Sequence, residues 1–166
     1  LEEEGCRVRY VKRPDEIGSP HLIILPGTKN TSGDLRWLWR TGFAEEISER
    51  ARRGVPLIGI CGGYQMLGRS VHDPGGLESH AGGSLFGLGL LDETTSFSPS
   101  KSVTQVKARV IADEGMLEGA KGLEITGYEI HMGRSAGRCP RAFHIFETPR
   151  GREDRLEGAL GDRGLI

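Results

Sequence analysis

Net charge, paired cysteines and long apolar runs are all scarce in this chain, and each scarcity excludes something. The 166 residues hold 22 Lys and Arg against 23 Asp and Glu, a net charge of −1. That balance gives no electrostatic case for nucleic acid as a partner. No run approaches the ~20 apolar residues that span a bilayer, so no membrane segment is expected. The opening Leu1-Glu2-Glu3-Glu4 lacks the basic and apolar regions of a secretory leader. Three cysteines, at 6, 61 and 139, have neither metal-ligand spacing nor an even count for disulfides. They fit a reducing cytoplasm, with no metal. No Gly-x-x-x-x-Gly-Lys-Ser/Thr loop occurs, so ATP has no phosphate cradle of that type here. Glycine alone is abundant, at 26 residues, which is roughly twice the usual share. Many tight turns on one domain follow from that.

The most informative turn is Gly59-Ile60-Cys61-Gly62-Gly63. It follows the apolar Val55-Pro56-Leu57-Ile58 and precedes Tyr64-Gln65-Met66-Leu67-Gly68, which can open a helix. A nucleophile with glycines two residues to either side, at a strand-to-helix junction, is a nucleophile-elbow pattern. The flanking positions leave no room for side chains. A helix start beyond the turn favours a thiolate and a developing oxyanion. The alternative is a buried turn holding an inert cysteine.

The rest of the chain reads as α/β. Arg7-Val8-Arg9-Tyr10-Val11 alternates and predicts a strand. Leu22-Ile23-Ile24-Leu25 is continuously apolar, as a strand buried in a parallel sheet should be. Pro26-Gly27-Thr28 breaks it, and Asp34 can cap a helix carrying Leu35, Trp37 and Leu38. A second helix is expected over residues 43–53, ended by Gly54. Strands follow at 55–60, 103–110 and 123–132, with a loop-rich stretch at 72–102. From Gly137 onward the chain is polar, with six arginines between Arg138 and Arg163, and is expected to be a solvated tail. Trp37 and Trp39 lie too close in sequence to share a helix face, so one is expected in the core and the other exposed. In a parallel sheet ligands bind beyond the carboxyl ends of strands. The turns at Gly27 and Cys61 should therefore meet at one crevice, where backbone amides can form an oxyanion hole.

Four segments in order carry a resemblance. They are Leu22 to Thr31 with Asp34-Leu35, Gly59 to Gly68, Gly87-Leu88-Gly89-Leu90-Leu91, and Gly127-Tyr128-Glu129-Ile130-His131-Met132-Gly133-Arg134. Together they resemble class I glutamine amidotransferase domains, most nearly those of the cobyric acid synthase family. The resemblance implies an α/β, three-layer flavodoxin-like sandwich, with a mostly parallel sheet and helices on both faces. It implies that Cys61 attacks the side-chain amide of L-glutamine and releases ammonia. It places Gly27 and Gly62 in the oxyanion hole, and Gln65 and Thr28 at the bound glutamine. Tyr128, Glu129 and His131 would stand beside the site, with His131 as a candidate base. The family's ATP, Mg and corrinoid substrate belong to a separate synthetase domain absent from these residues, so no cofactor is expected in this one. Related amidotransferases, of the a,c-diamide synthase or peptidoglycan-amidating type, are an alternative, as is a non-catalytic module of the same fold.

In the family the catalytic histidine lies in a Tyr-Leu-His-Gly-like segment after the Tyr-Glu-Ile-His-Met-Gly motif, and no such segment occurs through Ile166. The expectation is a domain truncated at both ends, with that histidine beyond Ile166 and the isolated piece inactive. His21, His72, His80 and His144 have no motif context and are expected at the surface or at strand ends. Asp73 and Glu78 are expected to be solvated loop charges.

Overall fold

The computed structural model describes residues 4–78 and 82–161, the side chains of residues 100–102 excepted. His80 and Arg163 lie outside the described residues.

The two continuously apolar stretches become a parallel pair. Strands β1 (Ile23–Leu25) and β2 (Leu57–Gly59) align Ile23 with Leu57 and Leu25 with Gly59. Helices α1 (Thr31–Thr41) and α2 (Phe43–Arg52) form the crossover between them. Asn30, rather than Asp34, caps α1, its side chain accepting the Gly33 amide at 2.9 Å. The Asp34 carboxylate accepts the Thr28 hydroxyl instead. Gly42 sits at φ 83°, where it ends α1 and opens α2. That left-handed conformation costs glycine little. Leu35, Leu38, Phe43, Ala44 and Ile47 pack with Leu57 of β2 and Leu67 into the main core.

Beyond β2, α3 (Gly62–Leu67) leads into a six-stranded sheet. Strands β3 (Ser70–Asp73), β4 (Gly83–Phe86), β5 (Glu93–Val110), β7 (Arg141–Thr148) and β8 (Gly151–Ala159) lie in the order β4-β3-β5-β7-β8, and β6 (Glu124–Gly137) pairs with β5. The expected mostly parallel sheet is corrected here. Only the β3–β5 pairing is parallel in this sheet, and the other four are antiparallel. For β7 and β8 the reason is connection length: a parallel neighbour needs a crossover of a dozen or more residues, whereas these two are joined through Pro149 and Arg150 alone. The α/β class holds, and the six-stranded sheet is largely antiparallel.

Three smaller expectations also give way. Residues 7–11 form no strand; Arg9 bonds the Ile17 carbonyl at 2.8 Å and ties that segment to the turn at Pro14–Glu16. Among the described residues, most of the arginine-rich stretch is the β7–β8 hairpin, which carries Arg141, Arg150, Arg152 and Arg155, rather than a solvated extension. Neither tryptophan enters the core: Trp37 stacks on Phe43, and Trp39 donates its indole N–H to the Phe86 carbonyl at 3.0 Å.

Candidate functional site

Cys61 is the single non-glycine residue with positive φ among the described residues, at φ 52° and ψ −114°. Bulky L residues avoid this region, and strain of this kind collects at functional sites. The flanking glycines explain how it is held. A Cβ added at Gly59 would lie 2.6 Å from the Tyr64 Cα, and one at Gly63 would lie 2.1 Å from the Leu25 carbonyl oxygen. The turn is thus clamped between β1 and α3, with the Cys61 side chain left exposed.

The Gly27 turn lies alongside. A Cβ at Gly27 would stand 3.4 Å from the Cys61 Cβ, and one at Gly62 would stand 2.5 Å from Thr28 Cγ2. Thr28 is fixed in turn: its Oγ1 accepts the Asn30 amide at 3.1 Å while its hydroxyl is taken by Asp34. Both strand ends therefore open on one cleft of about 550 Å³. Of the residues expected at the site, Gly27, Thr28, Cys61, Gln65, Tyr128, Glu129 and His131 line that cleft. Gly62 is buried behind it, against Thr28 and Thr31.

Strand β6 forms the opposite wall. The Cys61 thiol donates to the Ile130 carbonyl at 3.3 Å. His131 has both ring nitrogens engaged, Nδ1 with the Gly133 carbonyl at 2.7 Å and Nε2 with the Glu129 carboxylate. Arg155 of β8 closes the group, its guanidinium meeting Glu129 at 2.5 and 3.3 Å. Burial pulls the Glu129 carboxyl up, but hydrogen bonds from Arg155 and His131 outweigh it and hold the group below its ordinary 4.5. A carboxyl lowered in the folded state stabilises fully above its unfolded value, and that contribution fades as pH falls through the folded value. The destabilisation caused by Glu129→Gln, read as a shift in urea midpoint, is therefore expected to be largest near about pH 6–7 and to shrink below about pH 4.

Several site residues carry no sequence signal. Arg155 sits in what reads as polar tail. Asp73 is 2% exposed, and its carboxylate accepts the Leu77 amide at 2.7 Å and the Glu78 amide at 3.0 Å. Glu78 accepts the Ser32 amide at 3.1 Å, and burial pushes its carboxyl up. These two residues are structural anchors, not solvated loop charges. Gln65 is buried as well, beside Thr31. Periodicity cannot reveal such pairings, because the partners come from separate loops. Among the other histidines, His72 bonds Ser84 at 2.6 Å and His144 bonds Asp154 at 2.9 Å, both away from the cleft. Among the described residues no group of three or more His, Cys, Asp or Glu side chains could hold a metal ion. No helix there is long and apolar enough to cross a membrane.

The chain belongs to the CobB/CobQ-like glutamine amidotransferase domain family, whose model matches residues 1–165. Its curated relatives include a cobyric acid synthase of Dehalococcoides mccartyi (strain BAV1), 46% identical over 167 residues, covering 100% of this chain and 33% of that protein. The cobyric acid synthase of Desulfitobacterium hafniense (strain DCB-2) is 48% identical over 144 residues, 87% of this chain and 28% of that protein. That of Sorangium cellulosum (strain So ce56) is 45% identical over 176 residues, 99% and 34% respectively. The chain thus spans about a third of the length of the curated relatives it matches. Two solved structures share the fold. One is a glutamine amidotransferase, with TM-score 0.61 and 16% identity, covering 90% of this chain and 73% of that one. The other is PurLQS from Thermotoga maritima, with TM-score 0.67 and 23% identity, covering 94% and 70%.

Proposed function

We propose that this chain hydrolyses glutamine with Cys61 as nucleophile and supplies the ammonia for a cobyric acid synthase. The observation that carries the reading is the forced left-handed backbone at Cys61, held beside the Gly27 turn. Cys61 Sγ attacks the side-chain amide carbon of glutamine. The C–N bond breaks, the nitrogen leaves protonated as ammonia, and water cleaves the γ-glutamyl thioester. Neither the Gly27 amide nor the Gly62 amide donates to a backbone carbonyl among the described residues, so both are free to receive the oxyanion. Each such donor is worth roughly 10²–10³ in rate. Gln65 and Thr28 hold the substrate's main-chain end, and Tyr128, largely exposed, stands at the mouth of the cleft.

His131 is a wall residue in this reading, because Glu129 and Gly133 occupy both its nitrogens. The base for Cys61 comes from outside the described residues. In the whole protein, a synthetase domain using ATP and Mg activates carboxylates of a corrinoid, and this domain delivers ammonia to them. The setting is the cytoplasm, where three free cysteines stay reduced.

The test is ammonia and glutamate release from glutamine by the full-length protein, together with labelling by 6-diazo-5-oxo-norleucine and peptide mapping. Label on Cys61 is expected. Cys139, whose thiol is pushed up by burial, should remain unlabelled. Label on Cys6 or Cys139 in preference to Cys61 would sink the reading. His131→Ala is expected to cost less than about tenfold in turnover. A loss of ~10²–10⁴, the usual worth of general acid–base help, would instead make His131 the base.

A further inference from the structure

Thr31 sits between two acceptors, with its Oγ1 3.3 Å from Gln65 Oε1 and 3.3 Å from Glu78 Oε1. A threonine hydroxyl has one proton to give, so it cannot serve both. Glu78 has the stronger claim. A carboxylate accepts more strongly than an amide oxygen, and the Ser32 amide already donates to its other oxygen at 3.1 Å. Glu78 is also well placed to keep its position: Asp73, buried in β3, accepts the amides of Leu77 and Glu78. Burial pushes the Glu78 carboxyl up, while the Ser32 and Thr31 donors pull it back toward the ionised form; with Glu78 ionised and the Thr31 proton committed to it, the hydroxyl oxygen turns to Gln65 as an acceptor. Only the NH₂ end of the Gln65 amide can satisfy it. The two ends of a glutamine amide have nearly the same shape, so hydrogen-bond partners decide which points where. The far end of the Gln65 side chain faces Gly133, and both residues line the cleft.

We propose that Glu78 is a positioning residue which, through the Thr31 hydroxyl, turns the Gln65 carbonyl oxygen toward the cleft to accept the α-ammonium group of the substrate. This rests on the reading of the cleft as a glutamine site. Glu78 touches no substrate; it sets the polarity of a residue that does. The site then selects an α-amino acid amide over the same amide lacking the amino group, because a cleft-facing NH₂ would meet the ammonium donor to donor.

Glu78→Gln reverses the relay. The new amide oxygen keeps the Ser32 N–H, which leaves the new NH₂ facing Thr31. Thr31 then receives that hydrogen bond and donates to the Gln65 carbonyl, so that Gln65 presents NH₂ to the cleft. The experiment compares two electrophiles on the full-length protein, 6-diazo-5-oxo-norleucine and its counterpart without the amino group, 6-diazo-5-oxohexanoate, with the rate of Cys61 labelling as readout. The unmodified protein is expected to react about 10–100-fold faster with the amine-bearing reagent, the worth of one charge-assisted hydrogen bond. Glu78→Gln and Thr31→Val should bring that ratio within about threefold of one, while the rate with the des-amino reagent holds. That second rate guards against misfolding, since a collapsed site would lose both reagents together. An unchanged ratio, or an equal fall in both rates, overturns the role of Glu78 while leaving the glutamine site standing. Absence of Cys61 labelling by either reagent in the unmodified protein overturns the glutamine reading, and the role of Glu78 falls with it.

Discussion

Cys61→Ala is expected to abolish glutamine hydrolysis while leaving the fold in place. The substitution removes only the sulfur, and among the described residues the exposed side chain makes one hydrogen bond, to Ile130. Stability should change little. Activity should fall much further, because removing a nucleophile that forms a covalent intermediate can cost on the order of 10⁶ in rate. Glutamine binding should persist, since Gln65 and the Gly27 turn remain. The measurements are ammonia release, thermal unfolding and glutamine titration by calorimetry on the same preparation. Turnover within about tenfold of the unmodified protein would remove Cys61 from the mechanism, because no other described thiol or hydroxyl occupies so strained a turn.

Gly63→Ala is expected to have the largest effect on stability. Its Cβ would stand 2.1 Å from the Leu25 carbonyl oxygen and 2.6 Å from the Leu25 carbonyl carbon. Those atoms belong to β1, which cannot retreat without breaking its pairing with β2; the Leu25 carbonyl also accepts the Ile60 amide at 2.9 Å. Overpacking costs about 1–3 kcal/mol, and a clash this close with backbone belongs at the upper end. For a domain of this size that is on the order of 10 °C in Tm. Gly127→Ala is the control, because a Cβ there meets nothing within 4 Å. Equal unfolding midpoints for the two variants would show that the elbow is looser than its geometry implies.

The parts legible in the sequence are those set by local rules. Continuous apolar runs identified β1 and β2, and glycine spacing identified the Cys61 turn. The helix at Phe43–Arg52 followed from its buried face and the left-handed Gly54. The four family motifs brought seven of the eight expected site residues to one cleft. What stayed hidden depends on pairing between distant segments. Alternation in residues 103–110 revealed strand but not partner, so the antiparallel ladder to β6 and β7 was missed. Arg155 looked like one arginine among many until β8 carried it to Glu129, 26 residues away in sequence. Asp73 and Glu78 read as loop charges because a carboxylate that accepts backbone amides leaves no periodic trace.

The left-handed backbone at Cys61 sets the interests of folding and chemistry against each other. A non-glycine residue in such a conformation costs of order ~1–3 kcal/mol, and the surrounding glycine clamps and β1–β2 pairing must absorb it. Glycine at position 61 would shed most of that burden. The chain would then be hardier without the residue proposed as its nucleophile. Selection for robustness alone would therefore erode this position first, and any attempt to make the domain more heat-resistant should draw its gains from elsewhere in the molecule.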